Sequence, residues 1–213
     1  MIDPILNRLL KQPLCSLAKQ LIKHGAHADT VTLVGFMVGM LAVPAIFYGH
    51  YMLALSLILL NRLADGLDGA IARETSPTDA GGFLDITLDF IFYSAIVFAF
   101  VCAAPAQNAI AGSFLMLSFM GTGGSFLAFA VMASKHGIDS PNYPHKSLHY
   151  MGGLAEGFET IVVLCLFCLL PNYFVLIASV FAIICWLTAV IRIWSGYHTL
   201  LATKTLNQPD GLK

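Results

Sequence analysis

The chain has 213 residues, of which 58% are hydrophobic and only 11% are charged. Soluble domains are typically about 45–50% apolar and about 25% charged, so an ordinary soluble domain is excluded. The mean hydropathy of +0.79 applies to the whole chain and predicts a multi-pass membrane protein. The net charge of −1 gives no support to a nucleic-acid partner, and we expect none.

Residues 1–25 have apolar and basic positions that alternate at the period of an α-helix. This pattern predicts an amphipathic juxtamembrane helix on an anionic membrane surface, bent at Pro13. An ordinary N-terminal helix packed on the rest of the protein fits the same pattern. The apolar stripe consists of Leu6, Leu9, Leu10, Leu14, Leu17 and Leu21, and the basic residues off the stripe are Arg8, Lys11, Lys19 and Lys23.

Six apolar runs follow, and each approaches the roughly 20 residues that cross a bilayer as a helix. We therefore expect an all-α integral membrane protein, with six transmembrane helices over residues 26–203 and a cytoplasmic tail over residues 204–213. Pro44, inside the first run, predicts a kink. The runs are 31–49, 52–72, 83–103, 110–133, 153–170 and 174–194.

The positions of the basic residues predict the orientation in the membrane. We assign all eleven lysines and arginines to four places: the N-terminus, the second-to-third connection, the fourth-to-fifth connection and the C-terminal end. The other three connections, around 49–50, 104–107 and 171–173, contain none. The positive-inside rule then places both termini on the cytoplasmic side. The polar stretch 134–149, in the fourth-to-fifth connection, fits either a lid or a plain solvated loop.

Four aspartates stand out at the polar ends of the second and third runs. Asp65 and Asp68 are i and i+3 on one helix, and Asp85 and Asp89 are i and i+4 on the next, so each pair projects from a single helix face. A carboxylate in or near a bilayer is costly unless it is paired or binds a cation. The single arginine of this segment, Arg73, cannot balance four acids, whereas one or two divalent cations can.

These acids belong to the pattern D-x2-D-G-x2-A-R-x7-G-x3-D-x3-D, which resembles the signature of the CDP-alcohol phosphotransferases, membrane enzymes that make phospholipid head groups. The resemblance implies Mg²⁺ or Mn²⁺ as cofactor, with two ions expected. It also implies a homodimer among membrane lipids. The matching residues are Asp65, Asp68, Gly69, Ala72, Arg73, Gly81, Asp85 and Asp89.

The resemblance also implies roles for these residues. Asp65, Asp68 and Asp85 are expected as metal ligands, and Asp89 as a shared ligand or as the general base that takes the proton of the acceptor hydroxyl. All four carboxylates offer the oxygen ligands that Mg²⁺ and Mn²⁺ accept.

The small residues of the pattern suit the binding of a CDP-linked donor. Gly69 and Ala72 would let a cytidine or diphosphate approach the helix backbone, and Gly81 permits close approach at the start of the third run. Arg73 is expected to pair with a phosphate or to hold an acidic residue in place.

A second partial match precedes the first run. Family members often carry a Pro-Asn-x-x-Thr-like stretch there, and this chain has Ala28-Asp29 in place of Pro-Asn, with Thr32 at the Thr position. We expect Thr32 to contact the nucleotide. Asp29 is a good N-cap residue, and capping is its favoured role.

Glu156 and Glu159 are unusual acids at the start of the fifth run, spaced i and i+3 on one face. An acid entering the bilayer is functional by default, so they are candidates for binding acceptor hydroxyls, or for pairing with Arg192 or a histidine. Arg192, in the sixth run, either meets an anionic acceptor or snorkels to the interface.

The sequence thus predicts a transferase of phospholipid biosynthesis, in a bacterial inner membrane with a cytoplasmic active site. It would move a phosphatidyl group from a CDP-linked lipid, such as CDP-diacylglycerol, to a small alcohol acceptor and release CMP. One alternative moves a phospho-alcohol head group from a CDP-alcohol to a lipid hydroxyl. A more distant alternative is a divalent-cation transporter, because carboxylates in a helical bundle also suit cation permeation.

Overall fold

The computed structural model describes the backbone of residues 3–136 and 153–206 and the side chains of 12–136 and 153–202. Within these ranges the regular structure is helical throughout. Residues 137–149 of the predicted lid or loop, most of the predicted tail 204–213 and the side chains of the stripe up to residue 11 lie outside them. The helices are α1 (Asp3–Lys23), α2 (Ala28–Met40), α3 (Ala42–Phe47), α4 (Tyr51–Glu74), α5 (Asp79–Ala103), α6 (Pro105–Lys135), α7 (Gly157–Leu169), a short 3₁₀ helix (Pro171–Tyr173) and α8 (Phe174–Leu206).

Four stretches of the described chain are long and apolar enough to cross a membrane: Ala28–Phe47, Asp79–Ala103, Pro105–Lys135 and Pro171–Ala202. The helix α4 has 24 residues, but its charged side chains set it apart from these four. The helix α7 is apolar but has only 13 residues. The all-helical membrane fold therefore agrees with the prediction, and the exact number of six spans stays a prediction.

The first apolar run is divided into two helices at Leu41. The ring of a proline inside a helix clashes with the carbonyl four residues earlier, and for Pro44 that carbonyl belongs to Met40. The interruption follows Met40 directly, at the place where the proline acts, and the bend itself stays a prediction. At the break, the N–H of Leu41 donates to the carbonyl of Val38 at 3.2 Å.

The fifth run begins later than predicted, because α7 starts at Gly157 rather than near residue 153. Glu156 is the N-cap of this helix, and its carboxylate and the backbone N–H of Glu159 form one half of a capping box. In the other half, the Glu159 carboxylate accepts from the Glu156 N–H at 3.1 Å. These reciprocal bonds satisfy N–H groups that have no partner inside the helix.

The N-terminal helix α1 packs along α4. Ala18 of α1 is fully buried in a small apolar cluster with Leu67 and Ile71 of α4. At the end of the contact, Glu74 accepts a hydrogen bond from the Cys15 thiol at 3.0 Å and pairs with Lys19 at 3.6 Å. For its described side chains α1 is therefore a helix packed on the protein, and its place at the membrane surface stays a prediction.

Two glycines let α2 cross α4 at close range. A Cβ added at Gly35 would lie 2.5 Å from the Cβ of Ala64, and one added at Gly39 would lie 2.8 Å from the Cβ of Asn61. The Gly35-x-x-x-Gly39 spacing puts both small residues on one helix face, as in many close helix contacts within membranes. This crossing brings Thr32 of α2 to the acidic end of α4.

Aromatic side chains fix α5 against the C-terminal helices. The rings of Phe100 and Phe174 stack with centroids 5.1 Å apart, and those of Phe167 and Phe174 lie 4.6 Å apart. All three side chains are buried. Because α5 carries Asp85 and Asp89, this apolar packing holds the second pair of acids in place.

Candidate active site

The two acid pairs of the signature meet between α4 and α5. Ligand oxygens of Asp65, Asp85 and Asp89 all lie within 4.8 Å of one another. These three and Asp68 line one cleft. The helical spacing in the sequence predicts that each pair shares a face, and the structure adds that the two faces oppose each other.

Asp68 is hydrogen-bonded to a side chain of α2. It is only 5% exposed, and the Thr32 hydroxyl lies 2.5 Å from its Oδ2 and 3.1 Å from the carbonyl of Ala28. A hydroxyl has one proton to donate, and the shorter contact is to the carboxylate. Thr32 therefore contacts one of the predicted metal ligands, a link that the sequence did not indicate.

The predicted capping role of Asp29 is wrong. The N-cap of α2 is His27, and Asp29 is the second residue of the helix. The helix starts two residues earlier than expected, so the Asp29 carboxylate lies in the first turn, where it complements the positive end of the helix dipole.

Arg62 also lines the cleft, although it was not among the site residues predicted from the sequence. It lies inside α4, so its assignment to a connection between spans is wrong. Its Nη2 is 2.6 Å from Oδ1 of Asp89, and its Nη1 is 3.5 Å from Oδ2 of Asp65. The signal was present in the sequence, because Arg62 precedes Asp65 by three residues and so shares its helix face.

Asn61 and Tyr93 complete the surroundings of Asp89. The Tyr93 hydroxyl donates to Oδ2 of Asp89 at 2.7 Å, and Asn61 Oδ1 accepts from Nε and Nη2 of Arg62 at 2.9 and 2.6 Å. Each oxygen of Asp89 thus accepts one hydrogen bond, which leaves further lone pairs free. Tyr93 is four residues after Asp89, and this spacing is the signal that could have found it.

Arg73 lies exposed at the end of α4. Its guanidinium folds back over Gly69, where an added Cβ would lie 3.2 Å from Nη1. Among the residues that the structure describes, Arg73 has no ion-pair partner. The predicted pairing with an acid is therefore not formed within this part of the chain, and the pairing with a phosphate stays a prediction. Ala72, half-buried on the same turn, adds no bulk beside it.

Gly81 lies in the first turn of α5, where its N–H donates to the Thr78 hydroxyl at 3.0 Å and so caps the helix. A Cβ at Gly81 would be 2.9 Å from Oδ1 of Asp29. The close approach predicted at this glycine is therefore made by a side chain of α2.

Glu156 and Glu159 serve the start of α7 through their capping box, and Glu156 also accepts from the N–H of Gly153 at 3.2 Å. These bonds give both acids a structural role. Their predicted contact with acceptor hydroxyls stays a prediction.

Arg192 points into the bundle instead of toward the interface. It is 9% exposed, its Nη1 donates to the Thr122 carbonyl at 3.3 Å, and its guanidinium lies 5.4 Å from the centroid of the Phe126 ring. This burial between α6 and α8 contradicts the snorkelling alternative. One turn earlier on α8, the Thr188 hydroxyl accepts from the N–H groups of residues 154 and 155, each at 3.1 Å, and so holds the backbone before α7.

The family model described as CDP-alcohol phosphatidyltransferase matches residues 26–194. The chain belongs to this family. It is therefore a CDP-alcohol phosphotransferase, as the resemblance predicts, and the match includes every residue of the signature and the three helices that line the cleft, α2, α4 and α5.

The chain is also similar to individual proteins. The chain is 54% identical to the inner membrane protein YnjF of Escherichia coli over 200 residues, which are 94% of this chain and 97% of YnjF. It is 34% identical to the archaetidylinositol phosphate synthase of Pyrococcus horikoshii over 90 residues, or 42% of this chain and 48% of that one.

Two structures of Mycobacterium tuberculosis phosphatidylinositol phosphate synthase, PgsA1, share the fold. The structure with CDP-DAG bound has a TM-score of 0.65 at 19% identity. The aligned region covers 86% of this chain and 93% of the PgsA1 chain. The complex with manganese and citrate has a TM-score of 0.59 at 17% identity, with coverage of 86% and 88%.

The donor set of this family member fits a divalent cation. Three half-buried carboxylates offer oxygens within 4.8 Å of one another, and Mg²⁺ and Mn²⁺ both accept all-oxygen ligand sets. Because the described acids of the cleft outnumber its one arginine, a cation at this place would relieve their mutual repulsion.

Proposed function

We propose that this enzyme transfers a phosphatidyl group from a CDP-linked lipid, such as CDP-diacylglycerol, to a small alcohol acceptor and releases CMP. The observation that carries the proposal is the convergence of Asp65, Asp85 and Asp89 from two helices into one cleft. Its support is the family match, together with the solved structure of PgsA1 with CDP-DAG bound.

The four acids of the cleft have different roles in the proposed transfer. Asp65, Asp68 and Asp85 would hold one or two Mg²⁺ or Mn²⁺ ions, which supply neutralisation of charge on the diphosphate and on the departing phosphate. The manganese complex of PgsA1 supports this cofactor class. A bond forms between the acceptor oxygen and the phosphorus that bears the lipid, and the bond from that phosphorus to CMP breaks.

Asp89 receives the proton of the acceptor hydroxyl in this proposal, or else it serves as a further metal ligand. Its hydrogen bonds from Arg62 and Tyr93 fix the orientation of the carboxylate. Lone pairs stay free on both oxygens, so the carboxylate can still accept a proton or bind a cation.

The donor would lie along the acidic end of α4. Gly69 and Ala72 leave its backbone open to a cytidine or diphosphate, and the exposed guanidinium of Arg73 suits a phosphate. Thr32 orients Asp68 through its hydroxyl and is proposed as a nucleotide contact. Gly81 lets α2 and α5 approach each other at the edge of this site.

The acceptor would bind toward α7 and α8, where Arg192, Glu156 and Glu159 lie. Curated relatives named archaetidylinositol phosphate synthase and phosphatidylinositol phosphate synthase support a phosphorylated polyol as the first acceptor to examine. The burial of Arg192 among protein groups means that such an acceptor would have to displace one of its present contacts.

The proposed membrane arrangement has six spans, with α2 and α3 forming the first and α4 to α8 the other five. Residues 1–25 form the juxtamembrane helix, 26–203 the catalytic domain and 204–213 the tail. Both termini and the acids would face the cytoplasm, and two copies would form a homodimer. The relative YnjF, an inner membrane protein of Escherichia coli, supports the bacterial inner membrane as the location.

Product analysis tests the proposed reaction. Purified protein is incubated with radiolabelled CDP-diacylglycerol or a CDP-choline-type donor, and with inositol phosphate, glycerol phosphate or an unphosphorylated polyol as acceptor. The expected result is a new labelled phospholipid from CDP-diacylglycerol and an equal amount of CMP. A product formed only from the CDP-choline-type donor and a lipid alcohol would favour the alternative transfer, and Mn²⁺ uptake into vesicles would favour a transporter.

A further inference from the structure

Arg62 contributes a fixed positive charge to the carboxylate cluster. It pairs with Asp89 at 2.6 Å and with Asp65 at 3.5 Å, and its side chain is only 15% exposed. Asp65 and Asp89 are two of the three acids whose oxygens converge. Arg62 therefore competes for the same carboxylates as any cation that binds in the cleft.

The position of this guanidinium is set by three helices. Asn61 accepts two hydrogen bonds from it and donates from its own Nδ2 to the carbonyl of Gly35 at 3.0 Å, which ties the pair to the close crossing of α2 and α4. The centroids of the Phe92 and Tyr93 rings lie 5.3 and 5.5 Å from its Cζ. A planar donor with fixed neighbours loses little freedom on pairing, so this contact is built into the fold.

We propose that Arg62 is a positioning residue and the internal counter-ion of the cluster: it fixes Asp89 and lowers the affinity of the site for divalent cations. This rests on the proposed function in one respect, that the acids bind such cations. A positive charge beside a cation site repels the incoming ion. The same charge reduces the repulsion among the acids when the ion has left, so Arg62 limits how tightly the site holds its metal.

Direct metal titration separates this role from a merely structural one. Mn²⁺ binding to the purified protein is followed by electron paramagnetic resonance for wild type, Arg62→Gln and Arg62→Lys. Arg62→Gln removes the charge and is expected to bind Mn²⁺ about tenfold more tightly. Arg62→Lys keeps the positive charge that repels the ion, and its Mn²⁺ affinity is expected to stay within about threefold of wild type.

A control removes a lysine outside the cluster. Lys19→Gln lowers the total charge by the same amount as Arg62→Gln, but Lys19 lies on the exposed side of α1 and pairs with Glu74. Its Mn²⁺ affinity is expected to equal that of wild type. A tightening as large as that of Arg62→Gln would show that total charge, and not the position of Arg62, sets the affinity, and would overturn the proposal.

Thermal unfolding supplies the second readout. In EDTA, Arg62→Gln is expected to unfold at a lower temperature than wild type, because the acids lose their internal cation. Saturating Mn²⁺ is expected to raise its midpoint by more than it raises that of wild type, since ligand stabilisation follows affinity. Equal Mn²⁺ shifts in both proteins would indicate a structural role alone and contradict the proposal.

The outcomes distinguish this inference from the proposed function. If wild type binds no Mn²⁺, or if Asp65→Asn and Asp85→Asn bind it as wild type does, the proposed metal site itself is wrong. If wild type binds Mn²⁺ and Arg62→Gln binds it equally or more weakly, only the role of Arg62 is overturned. Should Arg62→Gln not fold, Arg62→Lys still decides, because a tenfold change in its Mn²⁺ affinity contradicts a role based on charge.

Discussion

Each carboxylate oxygen of Asp89 accepts a hydrogen bond, one from Arg62 and one from Tyr93, and these two bonds hold the carboxylate in a fixed orientation. Asp89→Asn should therefore lower kcat by about 10²–10⁴-fold, the usual effect of losing a general base. Binding of the CDP-linked donor should be largely retained when metal is saturating. Steady-state CMP release and donor binding, measured on the same preparation, check both parts.

Asp79→Asn is the matched control for this change. Asp79 is an exposed acid in the first turn of the same helix, outside the residues that line the cleft, so its turnover should equal that of wild type. If excess Mg²⁺ restores turnover to Asp89→Asn, the base assignment is wrong and Asp89 belongs with the metal ligands.

At the residue scale, the sequence predicted what depends on helical spacing. The pairs Asp65 with Asp68 and Asp85 with Asp89 share their faces because 3.6 residues make a turn. It did not predict the contact of Thr32 with Asp68, since that partner lies on another helix and no spacing rule relates the two. The same spacing rule applies to Arg62, which lies three residues before Asp65. Arg62 was not predicted because the signature begins only at Asp65.

At the scale of elements, the crossing of α2 over α4 is the contact most sensitive to size. Gly35→Ala should lower the midpoint of thermal unfolding in detergent, because its Cβ would meet that of Ala64 at 2.5 Å. Overpacking costs about 1–3 kcal/mol, which exceeds the roughly 1 kcal/mol that alanine gains over glycine inside a helix.

Gly124→Ala provides the comparison, because a Cβ at this position of α6 would meet nothing within 4 Å. It should leave the unfolding midpoint unchanged or raise it slightly. A Gly35→Ala protein as stable as Gly124→Ala would mean that the close crossing is absent, and with it the placement of Thr32 against Asp68.

The sequence predicted the helices better than their ends. Pro44 gave the break in the first run because a proline ring excludes a specific backbone carbonyl. The start of α7 was misplaced by about four residues, because hydrophobicity continues through residues 153–156 while the capping box of Glu156 and Glu159 fixes the first turn. Capping is a local hydrogen-bond choice that apolar periodicity does not report.

For the whole molecule, all-helical membrane architecture followed from composition and hydropathy alone. The signature, which spans only residues 65–89, predicted transfer from a CDP-linked donor. The sequence did not predict the acceptor site as well as the acidic site. The residues expected to bind the acceptor, on α7 and α8, already cap a helix or pack inside the protein. A single sequence does not separate such structural roles from binding.

Reporter fusions test the proposed orientation. A reporter active only in the cytoplasm should work at the C-terminus, and a reporter active only outside should work in the connections around 49–50 and 104–107, which contain no lysine or arginine. Fusions at the two kinds of position control for each other. A C-terminal fusion active only on the outer side would reverse the topology and move the acids away from cytoplasmic CDP-linked donors.

The central claim, that Asp65 and Asp85 hold a divalent cation needed for transfer from a CDP-linked donor, is tested most directly by CMP release from CDP-diacylglycerol after metal removal. Wild type treated with EDTA should release no CMP, and added Mg²⁺ or Mn²⁺ should restore release. Asp65→Asn and Asp85→Asn should still insert in membranes but show no metal-dependent release. Undiminished release after thorough chelation, or near-wild-type turnover of Asp65→Asn, would contradict the account.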